Sequence, residues 1–373
     1  EVGGLRLIYP EYLYQAEVQT SKRLLKLRDL ADALEKVNVD KIIGQWESEA
    51  GIVLAEAQKE AIHASLKYGV FVLTGGPGTG KTTVIKGILA VLEKAGCRIL
   101  LAAPTGRAAR RLADSSGHPA VTVHRLLEYT PNGGGFNFGK NDGDPLDADA
   151  IIIDEASMLD ITLTYHLLKA VQGGCRLIFV GDVDQLPSVG AGSVLKDIIR
   201  SQKMPVVRLE NVFRQAEISP IVRNAHRINR GQMPEWEPSS DFTFVEIENE
   251  FDAAEYVANI YARLTQQSDW QSVQVLSPMH KNPCGVQNLN HLLQQRINPP
   301  ELNNSEVNTP GNVLRVGDKV MQIRNNYEKE VFNGDIGRIV YINGRNVTVD
   351  YPERADGEYV TYTPNEIDEL QLA

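Results

Sequence analysis

The sequence predicts an α/β fold, in which helices cover a parallel β-sheet, more helices precede the sheet and a small all-β module follows it. Short apolar runs such as Val70–Leu73 and Ile151–Ile153 alternate with segments of helical periodicity. This alternation is typical of parallel strands joined by crossover helices. Glycine-rich or acidic segments follow these runs directly. Because ligands of open α/β sheets bind beyond the carboxyl ends of the strands, the same pattern predicts a ligand site there.

The composition limits the classes of protein that fit. The chain has 373 residues, 42% hydrophobic and 23% charged, which is ordinary for a globular protein of two or three domains. It has no run of 18 apolar residues, so we expect no membrane span. The formal net charge of −10 argues against coating by nucleic acid through bulk electrostatics. Any nucleic-acid site must therefore depend on local groups.

The cysteines and the first residues bear on cellular location. Cys97, Cys175 and Cys284 are odd in number and far apart, so they form neither a disulfide framework nor a metal-binding spacing. We expect free thiols in a reducing, cytoplasmic compartment. The chain begins with Glu1 and has no charged-then-apolar leader. We therefore expect a fragment or a processed product without a signal peptide.

The first half of the chain supplies most of the regular pattern. Apolar residues recur at three- and four-residue intervals in residues 12–50, which predicts helices, and residues 53–68 predict another. A buried strand at 70–73 then leads into a glycine-rich loop and a helix, Lys81–Lys94. The remaining predicted elements are the strands Arg98–Ala102, Ile151–Ile153 and Leu177–Val180 and the helices Gly106–Ala113 and Leu163–Val171.

The second half is less regular. Residues 129–147 interrupt the pattern with turn residues around Phe136 and Phe138, which indicates either a protruding β-hairpin or an irregular surface loop. From about residue 205 a second α/β segment follows, with a strand at Val273–Leu276 and a helix around Leu289–Gln295. Turn signals spaced along 313–373 predict a β-barrel or sheet. The predicted domains are 1–50, 51–205, 206–312 and 313–373.

The segment after the first strand has the pattern G-x-x-x-x-G-K-T. Such glycines let backbone N–H groups point at phosphate oxygens, and the following helix N-terminus adds partial positive charge. We expect Lys81 to reach the β- and γ-phosphates of a nucleoside triphosphate and the Thr82 hydroxyl to bind Mg²⁺. The predicted phosphate-site residues are Gly76, Pro77, Gly78, Thr79, Gly80, Lys81, Thr82 and Thr83.

Polar residues after other strands could complete this site. Asp154 is expected to hold Mg²⁺ through water, and Glu155 to orient and deprotonate an attacking water. The amide of Gln185 could touch both the γ-phosphate and that water; alternatively its loop is merely polar, with Asp182 capping a helix. Arg214 could neutralise charge that develops during phosphoryl transfer, or be an ordinary surface arginine.

Taken together, these segments resemble one family, the RecD/TraA-like superfamily 1 DNA helicases of the 5′→3′ branch. The order of motifs matches that family along nearly the whole chain. The segments that carry the resemblance are Gly75–Thr83, Leu101–Ala109, Thr122–Leu127, Asp154–Met158, Gly181–Pro187, Leu209–Gln215, Leu276–Met279 and Asn333–Gly337.

The resemblance implies a fold and a set of roles. It implies a P-loop NTPase with two RecA-like parallel sheets, the second one incomplete, ATP between them, and an SH3-like C-terminal β module. Gln58 would read the adenine base, and the hairpin at 129–147 would be the wedge that splits a duplex. The residues implied to contact single-stranded DNA are Pro104, Thr105, Arg107, Thr122, His124, Ser277 and Pro278. By its residue type alone, His124 would instead be a hydrogen-bonded core or cap histidine.

The resemblance also implies an absence. The family continues beyond such a barrel into a His-Lys-Ser-Gln-Gly segment and a second arginine for the γ-phosphate, and neither follows in this sequence. We therefore expect a truncated core with weak or no hydrolysis. Three hypotheses remain: an ATP-driven 5′→3′ DNA helicase, a nucleotide- and DNA-binding fragment without coupled unwinding, and a P-loop ATPase that acts on RNA or as a subunit of an exonuclease V-type complex.

Overall fold

The computed structural model describes residues 8–30, 37–132, 135–210, 219–236, 241–300, 305–309, 311–326, 328–354 and 357–373. The chain divides into two compact units, Glu1–Thr243 and Phe244–Ala373. None of the helices in these residues is long and apolar enough to cross a membrane.

The first unit contains a parallel sheet of six strands and a separate antiparallel hairpin. The strands of both are β1 (Val70–Gly75), β2 (Ile99–Ala103), β3 (Ala120–Thr122), β4 (Tyr129–Asn132), β5 (Gly135–Phe138), β6 (Ala150–Ile153), β7 (Arg176–Gly181) and β8 (Val206–Leu209). The parallel sheet has the order β3-β2-β6-β7-β1-β8, and the hairpin consists of β4 and β5. Its helices are α1 (Glu11–Leu30), α2 (Val39–Ala50), α3 (Glu56–Lys67), α4 (Lys81–Lys94), α5 (Gly106–Ser116), α6 (Val123–Leu126), α7 (Ile161–Ala170), α8 (Val194–Ser201) and α9 (Pro220–Asn229).

The central strands are mostly apolar and almost wholly buried because both faces of the sheet are covered. Along β1, Val70 and Val72 belong to one hydrophobic core, whereas Phe71 and Leu73 belong to the other. Alternate side chains of a strand point to opposite faces, so a continuous apolar run supplies two cores. The four strands predicted in the first unit and the predicted helix Lys81–Lys94 are confirmed, apart from shifts of one or two residues at the strand ends.

Two strands of this sheet are not among the predicted elements. β3 has only three residues, and β8 pairs in parallel with β1, with Val72 opposite Val206. The predicted start of a second domain at residue 206 therefore falls on a strand of the first sheet. Such short strands carry little periodicity, and their pairing depends on the neighbouring strand.

The hairpin predicted at 129–147 is present, but it is shorter. β4 and β5 pair antiparallel, with Tyr129 opposite Phe138, and residues 139–147 form turns and an isolated bridge. At the base of this hairpin lies a cluster of aromatic rings. The ring centroids of Phe138 and His166 are 4.4 Å apart, and those of His124 and Tyr129 are 5.5 Å apart. This packing fixes the hairpin to α6 and α7.

The second unit combines two packed helices with a small β module. Its helices are α10 (Glu250–Gln267) and α11 (Val286–Ile297), and its strands are β9 (Glu306–Thr309), β10 (Asn312–Arg315), β11 (Lys319–Gln322), β12 (Ile336–Asn343), β13 (Asn346–Asp350), β14 (Val360–Tyr362) and β15 (Leu370–Leu372). Five strands form an antiparallel sheet in the order β14-β13-β12-β11-β15, as expected for an all-β module. The predicted helix near Leu289 is confirmed as α11.

The predicted strand at Val273–Leu276 is wrong. Val273 and Val275 pack against Ala258, Tyr261 and Leu293, but this segment pairs with no strand in the described part of the chain. An alternating apolar pattern can bury one face of an extended segment, but a strand also requires ladder hydrogen bonds from a neighbour. The described residues of this region accordingly form no second parallel sheet.

Candidate functional site

The glycine-rich loop lies between the end of β1 and the start of α4, where the first unit can receive an anion. Gly78 and Gly80 have φ angles of 73° and 83°, a left-handed conformation that favours glycine. Gly80 caps α4 without a side-chain hydrogen bond to the helix. Since the first N–H groups of a helix lack intrahelical partners, this end of α4 offers donors and partial positive charge to a phosphate.

The Lys81 side chain folds back on this loop. Its Nζ donates to the carbonyl oxygens of Gly75 at 2.6 Å and Gly76 at 3.2 Å. Thr79 is buried, and its hydroxyl also donates to Gly76 O, at 2.8 Å. The Lys81 ammonium group is thus held at the start of the loop by two carbonyl oxygens. A bound phosphate can take their place as the acceptor for this group.

Gln58 joins α3 to the loop. Its Oε1 accepts from the backbone N–H of Ala55 at 2.9 Å, and its Nε2 donates to the Thr79 carbonyl at 3.3 Å. The side chain is only 2% exposed. The Gln58 side chain therefore supports the loop through a hydrogen bond. Only its second Nε2 hydrogen and the second lone pair of Oε1 are left to bind an adenine base. Reading of the base by Gln58 stays a prediction.

Two acidic residues follow β6. Asp154 Oδ1 accepts from the backbone N–H of Glu155 at 2.9 Å, and Glu155 takes the left-handed conformation, with φ 50°. Burial raises the pKa of both carboxyl groups, and the positive charge of Lys81 opposes the rise in each. The structure thus brings Lys81, Asp154 and Glu155 together.

Glu155 also carries an unsatisfied atom. Its Oε2 is buried and has no hydrogen-bond partner among the described residues. A buried carboxylate oxygen without a partner is costly, which indicates that something absent from the isolated chain satisfies it. The residues predicted to bind a metal, Thr82 and Asp154, offer hydroxyl and carboxylate oxygens, the ligand type that hard divalent cations prefer. The residues present therefore fit a bound Mg²⁺.

The loop after β7 lies beside the strand that carries Asp154, because β6 and β7 are adjacent in the sheet. Asp182 is buried, and its Oδ1 accepts from the N–H of Asp184 at 3.0 Å, so it closes a turn rather than capping a helix. Its negative charge contributes to raising the pKa of Glu155, after burial and Asp154. Gln185 is exposed at this edge of the sheet. Its contact with a γ-phosphate stays a prediction.

The predicted DNA-contacting residues of the first unit begin two helices. The Thr105 hydroxyl caps α5 by accepting from Ala108 N at 3.2 Å, and that of Thr122 caps α6 by accepting from Arg125 N at 3.1 Å. Pro104 and Arg107 flank the first cap. Thr122 is 5% exposed, so its side chain serves the helix cap more directly than a ligand.

His124 lies in the aromatic cluster at the base of the hairpin. Burial lowers the pKa of its imidazole, and Asp160 opposes this shift. This position agrees with the alternative of a packed histidine, and a DNA contact by His124 stays a prediction.

Two further predicted site residues, Ser277 and Pro278, belong to the second unit. In the second unit, the Ser277 hydroxyl donates to Cys284 O at 2.6 Å and organises a turn, and the adjacent Pro278 is exposed. Arg214 lies outside the described residues. All three cysteines are free thiols, as predicted.

Sequence reasoning missed Arg111, whose positive charge opposes the rise in the Glu155 pKa. Its spacing from Arg107 was a usable signal, because residues four apart share one face of a helix. It also missed His226, which contacts the glycine-rich loop from α9. Nothing in the sequence near His226 connects it with residues 150 positions earlier.

A parallel sheet with this loop after β1, and an acidic pair after a strand two positions away, defines a P-loop nucleotide-binding protein. Residues 58–191 match a family model described as an AAA domain. Residues 289–351 match the ATP-dependent RecD-like DNA helicase SH3 domain. The chain is 40% identical over 319 residues to the ATP-dependent RecD2 DNA helicase of Deinococcus radiodurans, covering 86% of this chain and 42% of that protein. The chain is thus similar to RecD-like helicases along most of its length.

Further comparisons cover less. The RecBCD enzyme subunit RecD of Mycobacterium tuberculosis is 44% identical over 167 residues, which is 39% of this chain and 28% of that protein. The chain thus spans less than half the length of either relative. A solved structure of two coordinating Pif1 helicases that unwind forked double-stranded DNA aligns with 86% of this chain and 81% of its own, at 22% identity and a TM-score of 0.47. That degree of likeness carries no functional argument.

Proposed function

We propose that the protein containing this chain hydrolyses ATP to move 5′→3′ along single-stranded DNA and to unwind duplex DNA. The observation that carries the proposal is the buried Oε2 of Glu155, which lies beside the P-loop lysine and has no hydrogen-bond partner in the described part of the chain. A carboxylate with a raised pKa, next to a phosphate site, suits the orientation and deprotonation of an attacking water. The likeness to RecD2 along 86% of the chain supports the choice of a DNA motor within the P-loop class.

Each residue of the site has a proposed role. Lys81 and the N–H groups at the start of α4 bind the β- and γ-phosphates, and Gln58 contacts the adenine base. Thr82 and Asp154 hold Mg²⁺, which neutralises phosphate charge when bound. Glu155 holds the water in line with the γ-phosphate and accepts its proton. Gln185 senses the γ-phosphate, and Arg214 stabilises charge that develops on it.

The DNA strand is proposed to cross the loops at the ends of the strands. Hydroxyls, backbone N–H groups and a few arginines suffice to track a phosphate backbone without reading its sequence. Thr105 and Arg107 in the first unit and Ser277 in the second would make such contacts, together with Pro104, Thr122, His124 and Pro278. The hairpin would meet the duplex junction. The packing of Phe138 against His166 at the base of the hairpin supports this role, because a wedge that separates strands must resist force.

The second candidate is a RecD-type subunit of an exonuclease V-type assembly. The RecBCD subunit names among the relatives favour it, but those matches cover 39% of this chain against 86% for RecD2. The extent of the match favours the RecD2-like motor. Association with exonuclease V-type subunits, measured by co-purification, would support the second candidate.

The test is ATP hydrolysis by the protein with and without a single-stranded oligonucleotide. We expect DNA to stimulate turnover, RNA of the same sequence to stimulate it less, and Lys81→Ala to abolish it while the melting temperature is retained. Duplexes with a 5′ overhang should be unwound in preference to those with a 3′ overhang. No stimulation by any nucleic acid would overturn the motor. Nucleotide and DNA binding without unwinding would leave the chain as a binding module.

The wedge role has its own test. Trimming residues 132–135, which keeps Phe138 in the aromatic cluster, should leave DNA-stimulated hydrolysis unchanged and reduce unwinding, because tracking and strand separation would depend on different surfaces. An equal loss of both activities would contradict a wedge.

A further inference from the structure

His226 is placed over the P-loop by α9. If Gly76 carried a Cβ atom, that atom would lie 3.2 Å from Cε1 and 3.9 Å from Nε2 of the His226 imidazole. The imidazole therefore covers one side of Gly76, and any larger residue at 76 would press against it. Gly76 is the residue whose carbonyl accepts from Lys81 Nζ at 3.2 Å. The imidazole and the ammonium group thus border the same residue of the loop.

The Nε2 atom of His226 is buried and has no hydrogen-bond partner among the described residues. Buried polar atoms of side chains are nearly always paired, and one that is not indicates an absent partner. Of the two ring nitrogens, Nε2 is the one that lies within 4 Å of the position that a Cβ atom of Gly76 would take.

α9 holds this position through polar contacts on its other sides. Asn224 is 2% exposed; its Nδ2 donates to Glu235 O at 3.0 Å, and its Oδ1 accepts from Glu235 N at 2.7 Å. Arg227 Nε donates to Met233 O at 2.8 Å. These bonds clamp α9 to the segment that follows it.

We infer that His226 contacts the terminal phosphate of the bound nucleotide, with Nε2 as the donor. The inference rests on the proposed ATP site and adds a residue to it. The P-loop lysine serves the β- and γ-phosphates, and His226 borders the glycine against which that lysine lies. A phosphate oxygen is an acceptor that would satisfy Nε2. α9 would then respond to a triphosphate differently from a diphosphate.

The test is binding of fluorescent ATP and ADP analogues in the absence of DNA, so that it does not depend on motor activity. His226→Ala should weaken ATP binding about ten-fold, the typical effect of removing a hydrogen bond to a charged group, and weaken ADP binding much less. His226→Gln, which retains an amide donor at similar reach, should restore part of the ATP affinity. Ile228→Ala changes an exposed residue of the same helix and should alter neither affinity.

Thermal melting of each variant separates a lost contact from a lost fold. A folded His226→Ala protein that binds ATP as tightly as the wild type would overturn the inference and leave the proposed function intact. An equal loss of affinity for ATP and ADP in His226→Ala would also overturn the inference. That outcome would indicate that His226 only supports the loop and does not contact the terminal phosphate. A wild-type protein that binds neither nucleotide would refute the ATP site itself and the inference with it.

Discussion

Gln58 and Thr79 are joined by a hydrogen bond in which Gln58 Nε2 donates to the Thr79 carbonyl oxygen at 3.3 Å. The same side chain accepts from Ala55 N, so one amide connects the start of α3 to the phosphate loop. Both side chains are 2% exposed. A residue assigned by resemblance to the adenine base thus also supports the loop that would bind the phosphates.

Gln58→Ala should lower the free energy of unfolding by about 1–3 kcal/mol, because a buried N–H and a buried carbonyl lose their partner. It should weaken binding of GTP as well as ATP, since both depend on the loop. The measurements are urea unfolding and nucleotide titration. Loss of ATP binding alone, with unchanged stability, would show that Gln58 only reads the base.

Gly75→Ala should disrupt the phosphate loop. Its Cβ would lie 2.6 Å from Thr79 Oγ1 and 2.9 Å from both Cβ and the carbonyl oxygen of Leu209. Overpacking of this kind costs about 1–3 kcal/mol, and nucleotide affinity should fall with it.

The matched control is Gly44→Ala in α2. No atom lies within 4 Å of its Cβ position, and its φ angle is not positive. Alanine should therefore stabilise this helix by about 0.5–1 kcal/mol. Chemical unfolding of both variants measures the contrast, and similar effects of the two substitutions would contradict the close approach of β8 to the loop.

Glu155→Gln should reduce ATP turnover about 100-fold or more and preserve nucleotide binding, because the amide cannot accept the proton of the attacking water. Steady-state hydrolysis and nucleotide titration provide the two readouts. Glu60→Gln, at an exposed position of α3, is the control and should leave turnover unchanged. Turnover within a few-fold of wild type in Glu155→Gln would remove Glu155 from the mechanism.

The aromatic cluster at the base of the hairpin should make stability depend on pH. Burial is the largest cause that lowers the pKa of His124 and of His166. Below their unfolded pKa of about 6.5, the unfolded chain therefore binds more protons at these positions than the folded chain. Their contribution to stability is complete above that pH and is lost as the pH falls through the lowered folded pKa values.

Urea unfolding at about pH 8 and about pH 5, which bracket the histidine pKa, measures this dependence. His166→Phe keeps a ring against Phe138 and should reduce the loss on acidification relative to wild type. The comparison must be made between variants, because His118 has a pKa raised by Glu93 and contributes in the opposite direction. An unchanged difference between the two pH values in His166→Phe would exclude His166 as a cause.

Tyr362 holds together the core of the β module in the second unit. Its hydroxyl donates to Gln322 Oε1 at 2.8 Å and lies 2.7 Å from the Tyr351 hydroxyl, and all three side chains are buried. Tyr362→Phe should cost about 1–3 kcal/mol, because Gln322 and Tyr351 lose a partner. Tyr341→Phe, at a residue 58% exposed, should change the free energy of unfolding little. Equal effects on the urea midpoint would contradict the network.

The sequence predicted the elements whose pattern is local. The strand before the P-loop is an unbroken apolar run, and Lys81–Lys94 follows it with helical periodicity, so both were assigned correctly. Val273–Leu276 is also rich in apolar residues, although Gln274 interrupts the run, yet no strand pairs with it among the described residues. Periodicity indicates which side of a segment is buried. It does not indicate whether an adjacent strand is present to form the backbone hydrogen bonds of a sheet.

By itself, then, the sequence determined the chemistry of the phosphate loop, because eight consecutive residues carry the glycines, the lysine and the hydroxyl that the chemistry needs. The tertiary structure decided what surrounds that loop. β8 closes against Gly75, Gln58 supports Thr79 from α3, and His226 covers Gly76 from α9. These contacts join residues up to 150 positions apart. Only the packing of the sheet and helices brings these residues into contact, and no local sequence pattern predicts that packing.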